Sequence, residues 1–152
     1  MFRLLLVAFA LTSATVILHG LGTLAAVAHL SRVWRQHDTA RRWLMAEIQL
    51  ALAVGVLLLL HFAEAGVWAG AYRLLGLLPD LETAVYFSIT SYTTVGYGDV
   101  VLPVSWRLLG PIEAAVGILM LGWSTAILVA AIQRVYGDRL RWHPEPTDTD
   151  QE

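Results

Sequence analysis

Thr93-Thr94-Val95-Gly96-Tyr97-Gly98-Asp99 sets two glycines two residues apart, each free to take a left-handed backbone conformation at no Cβ cost. A strand whose handedness alternates turns successive carbonyl oxygens to one side, which an ordinary strand cannot do. One such strand is a row of oxygens, and several around an axis make a cage for a dehydrated cation. Val95 and Tyr97 then point away from the axis, where bulky groups pack and hold the cage open. Thr94 adds a hydroxyl at the inner end of the row.

Working outward, Pro79 and Asp80 precede residues 81–92, a segment that predicts a helix. Asp80 is a suitable N-cap, and Glu82 in the first turn complements the helix dipole. Twelve residues make a helix of about 18 Å, too short to cross a bilayer. The segment is therefore expected to enter a membrane, stop midway and return as the extended strand at 94–98. Irregular backbone at that depth survives only where protein buries it or water lines it.

Composition agrees with a membrane setting. The chain has 152 residues, 57% hydrophobic and 14% charged, against about 25% charged in soluble domains. It has no cysteine, which excludes disulfides and thiolate metal sites, and no basic patch interleaved with aromatics that would suggest nucleic acid. All ten basic residues are arginine. Residues 4–30 carry no formal charge and would reach about 40 Å as a helix, a full span with some tilt. A secretory signal is the competing reading, but its apolar core runs only ~7–15 residues. Arg32, Arg35, Arg41 and Arg42 follow against a single Asp38, which places this connection in the cytoplasm and the N-terminus outside. The periodic arginine ladder of a voltage sensor is missing.

Residues 44–72 form the second expected span and 108–135 the last, with Arg134, Arg139 and Arg141 again on the cytoplasmic side. Both basic clusters thus fit one three-span topology. Glu47, His61, Glu64 and Glu113 lie within spans, where ionisable groups are functional candidates by default. His61 and Glu64 share a helix face and read as a pair facing protein or water, while His19 and His29 read as packing or interfacial residues. The sequence supplies no partners that would collect these histidines into a metal site. Ile118, Leu121, Thr125, Val129 and Gln133 fall on one face of the last helix, and a core stripe would share that spacing. Residues 142–152 are acidic and polar and are expected to be disordered in the cytoplasm.

Thr94-Val95-Gly96-Tyr97-Gly98, followed by Asp99, is identical to the filter signature of potassium channels, and the chain resembles that family's pore domain over residues 44–141. The resemblance implies an all-α membrane protein: outer helix 44–72, pore helix 81–92, filter 93–99 and inner helix 108–135. Residues 1–31 would be an extra helix at the periphery. It further implies a homotetramer in the cell membrane, passing K+ passively, with no organic cofactor and no catalytic site. The carbonyls of Thr94, Val95, Gly96 and Tyr97 would replace the ion's hydration shell. Gly117 is similar to the glycine at which the family's inner helix bends, and Ile118, Leu121, Thr125, Val129 and Gln133 would line the cavity. Many relatives carry glutamate or tryptophan behind the filter; Tyr86, Phe87 and Thr90 stand there instead, so Asp99 is expected to bond the Tyr86 hydroxyl, with Thr93 and Thr90 as further support. The alternatives are a non-conducting or heteromeric accessory subunit, and a small membrane enzyme or metal carrier using His61 and Glu64.

Overall fold

Apolar runs broken by short polar connections can bury their backbone only as helices, because hydrocarbon offers no hydrogen-bonding partner. A computed structural model describes residues 1–34 and 42–140, with side chains described for 1–28 and 47–133. Four helices form: α1 (Phe2–Trp34), α2 (Arg42–Leu74), α3 (Leu81–Tyr92) and α4 (Leu109–Leu140). Three are long and apolar enough to cross a membrane, over Phe2–Ala28, Glu47–Leu74 and Leu109–Gln133. The shortest of these, 25 residues, reaches about 38 Å against a hydrocarbon core of about 30 Å. The protein is an all-α membrane fold, with no β-sheet pairing among the described residues.

Helix ends are set by backbone chemistry rather than by hydropathy. α1 continues to Trp34, past the expected 31, and α4 to Leu140, past 135, because a helix propagates through polar residues as readily as apolar ones. Gly137 inside α4 costs about 1 kcal/mol without stopping it. α2 ends in a Schellman motif, in which Leu77 N–H donates to the Tyr72 carbonyl at 2.9 Å and Gly76 N–H to Arg73 at 3.0 Å. That motif needs a left-handed residue, and Gly76 takes φ 66°. Asp80 caps α3 by accepting from Thr83 N–H at 2.7 Å, and this bond holds its carboxyl below the usual range. The basic connection at 35–41, the His29 side chain and the tail at 142–152 lie outside the described residues.

α2 is the central element. α1 and α3 both pack on it, α4 closes against all three others, and α1 has no close backbone contact with α3. The shared core comprises Trp68, Ala69 and Tyr72 of α2, Ala84, Phe87 and Tyr92 of α3, Leu109, Val116 and Met120 of α4, and Leu4 and Ala8 of α1. α1 lies close to α2 because Gly22 has no Cβ, and one built there would stand 2.7 Å from the Leu60 side chain. A buried stripe of Thr15, His19 and Thr23 follows the same face of α1. Phe9, Ile17, Leu24 and Leu59 face outward, where only lipid suits them.

Candidate functional site

α3 stops at Tyr92, and its C-cap, Thr93, keeps near-helical angles of φ −82° and ψ 0°. The next residues alternate. Thr94, Gly96 and Gly98 take positive φ of 65°, 50° and 78°, while Val95 and Tyr97 between them do not. Glycine takes such angles freely; Thr94 is an L-residue in a left-handed conformation, at a cost of roughly 1–2 kcal/mol.

The strand is tied back to the helix it leaves. Thr94 N–H donates to the Ser91 carbonyl at 2.9 Å, and Gly96 N–H to Thr90 at 3.0 Å. The Thr93 hydroxyl donates to the Ile89 carbonyl at 2.7 Å. Thr90 therefore acts through its backbone oxygen, since its hydroxyl is spent on the Phe87 carbonyl at 3.0 Å. At the far end the Tyr86 hydroxyl donates to Asp99 Oδ2 at 2.7 Å, and Val100 N–H donates to Asp99 Oδ1 at 3.0 Å. The Tyr86 and Tyr97 rings stack with centroids 6.5 Å apart. The bond from Tyr86 holds the Asp99 carboxyl below its ordinary range, and the same bond pushes the Tyr86 phenol up.

Two buried carboxylates hold α3 in place. The Tyr92 hydroxyl donates to Glu64 Oε2 of α2. On the other flank the Ser88 hydroxyl sits 2.6 Å from the Ala65 carbonyl and 2.5 Å from Glu113 Oε1 of α4, and the Tyr72 hydroxyl donates to Glu113 Oε2 at 2.7 Å. Glu64 and Glu113 are both fully buried. The first helix joins this framework through His19, whose Nδ1 lies 2.8 Å from Glu64 Oε1. The pairing of His19 with Glu64 corrects the reading of His19 as a packing residue. The signal was present, since an ionisable group on an apolar span needs a partner, but the sequence did not say which.

On α4, Ile118, Leu121, Thr125, Val129 and Gln133 are exposed, while Gly117 is set apart from them. Gly117 is buried against the end of α3, where a Cβ would stand 2.0 Å from the Tyr92 carbonyl oxygen. The close approach of α4 to α3 needs a glycine there. The alternating strand, the carboxylates that hold its helix and the open face of α4 together form a loop re-entering between two spans. Val95 and Tyr97 of that loop remain 53% and 71% exposed.

The family model described as "Ion channel" matches residues 54–134, just over half of the chain, from within α2 through most of α4. α1 lies outside the match. Comparison with curated proteins and with solved structures found no match.

Proposed function

The chain belongs to the ion-channel family of two-span pore proteins, and from that premise we propose that it forms a potassium-selective channel. The observation that carries this reading is the alternation of backbone handedness at Thr94, Gly96 and Gly98. Such a strand turns the carbonyls of Thr94, Val95, Gly96 and Tyr97 toward one axis, where they replace the hydration shell of K+ together with the Thr94 hydroxyl. One strand cannot surround an ion, so four copies assemble as a homotetramer around the axis. The open face of α4, from Ile118 to Gln133, lines the water-filled cavity below, and the C-terminal end of α3 aims its partial negative charge there.

K+ then moves down its gradient by knock-on between adjacent sites, without catalysis or an organic cofactor. The protein lies in the cell membrane with its N-terminus outside and its C-terminus in the cytoplasm, as both arginine clusters favour. No arginine ladder is available to sense voltage. Gly117 admits the close packing of α4 on α3, and it is also the position at which α4 would bend by the family resemblance.

Potassium and sodium flux into liposomes containing the purified protein tests the reading. Potassium flux well above sodium flux, abolished in Gly96→Ala, is the expected result. Equal flux of the two ions would remove selectivity, and a purified tetramer without flux would favour an accessory subunit.

A further inference from the structure

Three side chains from two helices converge at one buried point that pore formation leaves unexplained. His19 of α1 places Nδ1 2.8 Å from Glu64 Oε1, and His61 of α2 places Nδ1 3.3 Å from Glu64 Oε2. One donor atom from each of His19, His61 and Glu64 lies within 4.8 Å of the others. A fourth donor is at hand, since the Tyr92 hydroxyl is 3.1 Å from His61 Nδ1 and bonds the same carboxylate. The two imidazole rings are 5.4 Å apart, and each turns its Nδ1 toward the same Glu64 carboxylate.

We propose that His19, His61 and Glu64, with Tyr92 as the fourth donor, form a zinc-class divalent metal site that clips α1 to the helix carrying the filter. A tetrahedral zinc with ligands about 2.0–2.2 Å away has ligand–ligand edges of roughly 3.3–3.6 Å. His61 Nδ1 stands 3.3 Å from Glu64 Oε2 and 3.1 Å from the Tyr92 hydroxyl, near that edge, and the 2.8 Å from His19 Nδ1 to Glu64 Oε1 would open by about half an ångström around a metal. Two nitrogens and two oxygens without a thiolate suit zinc or cobalt(II); calcium and magnesium prefer more oxygen ligands. An outer partner stands near one of the two histidines. His19 Nε2, the nitrogen left protonated when Nδ1 binds metal, faces Ser124 Oγ at 3.5 Å, a contact that a small rotation tightens. Charge favours the same occupant, because a dication offsets a carboxylate buried at membrane depth.

The site's position gives it an effect. Tyr92 is the last residue of α3, immediately before the Thr93 cap and the left-handed Thr94. α1 reaches α3 through this cluster and not by packing its backbone on it. A bound cation would therefore tie the additional helix to the base of the filter.

The test uses the full chain in detergent, stripped with a chelator and then titrated with zinc, with bound metal read by elemental analysis. The expected result is about one zinc per chain and a raised unfolding temperature, with magnesium and calcium unable to compete. His19→Ala and His61→Gln are each expected to weaken zinc binding at least about 100-fold, beyond the usual cost of losing an outer-sphere partner. Should a variant fail to fold, cobalt(II) bound to the wild-type chain still reports the geometry, by the absorption of a four-coordinate site with nitrogen ligands. Failure of the wild-type chain to bind zinc or cobalt would overturn the proposal, as would equal zinc uptake by folded variants. Neither readout depends on ion flux, so the metal site and the channel reading stand or fall separately.

Discussion

The carbonyl oxygen of Tyr92 occupies the space into which a side chain at Gly117 would grow, 2.0 Å from where its Cβ would stand. Backbone meets backbone there, so nothing flexible can move aside. Gly117→Ala is expected to push α4 off the end of α3 and to cost about 1–3 kcal/mol or more. Thermal unfolding of the purified assembly would show a fall of several degrees. Gly122 on the same helix has no heavy atom within 4 Å, and Gly122→Ala is expected to be neutral or mildly stabilising. Equal behaviour of the two variants would contradict the packing role given to Gly117.

Glu113 holds Ser88 and Tyr72 from inside the bundle. Glu113→Ala would leave the Tyr72 hydroxyl without its partner, at about 1–3 kcal/mol for a buried group left unsatisfied, while Ser88 keeps the Ala65 carbonyl. Glu113→Gln keeps an acceptor for Tyr72 and offers an N–H to Ser88, so it is expected to retain most of the stability. The yield of folded protein in detergent should therefore rank wild type, then Gln, then Ala. An alanine variant as stable as the glutamine one would show that this carboxyl does not brace α3.

The bond between Tyr86 and Asp99 carries a pH dependence. The Asp99 carboxyl titrates below its ordinary range, so its contribution is complete above the unfolded value and is lost as pH falls through the lowered one. Tyr86→Phe returns Asp99 toward its ordinary range, and the acid loss of flux is expected to begin at a higher pH. Flux recorded across the acid range checks this. A profile identical to wild type would mean that the bond is not what holds the outer end of the strand.

Gly98 takes φ 78° with no heavy atom within 4 Å of a would-be Cβ, so the obstacle to a side chain there is conformation, not space. Gly98→Ala is expected to cost about 1–2 kcal/mol per subunit while leaving the helices intact. Size-exclusion profiles should be unchanged and the preference for potassium over sodium lost. Retained selectivity would mean that the left-handed angle at 98 is dispensable.

Much of this was legible in the sequence, for definite reasons. The three spans follow from uninterrupted apolar runs, and the short helix α3 from a capping aspartate and the length of its segment. The Tyr86–Asp99 pairing could be anticipated because the family resemblance puts Tyr86 among the positions where relatives carry the partner of that aspartate. Contacts between distant elements were harder. His19 and Glu64 are 45 positions apart, and no periodicity says which face of α1 meets which face of α2. Gly117 carried no mark of its own either, because a glycine that bends a helix and one that admits a neighbouring carbonyl look alike in sequence. Thr94 hid for a simpler reason, since threonine gives no warning that it will take a left-handed angle.

The exposed Val95 and Tyr97 side chains have a genetic consequence. A strand whose outer side is left bare in one subunit must be completed by its neighbours, so in the proposed tetramer a copy with a misshapen filter damages every ring that it joins. If equal amounts of sound and defective chains mix at random in rings of four, about one ring in sixteen is wholly sound. Equal amounts of sound and defective chains would therefore leave little of the activity, where a protein working as a monomer would keep half.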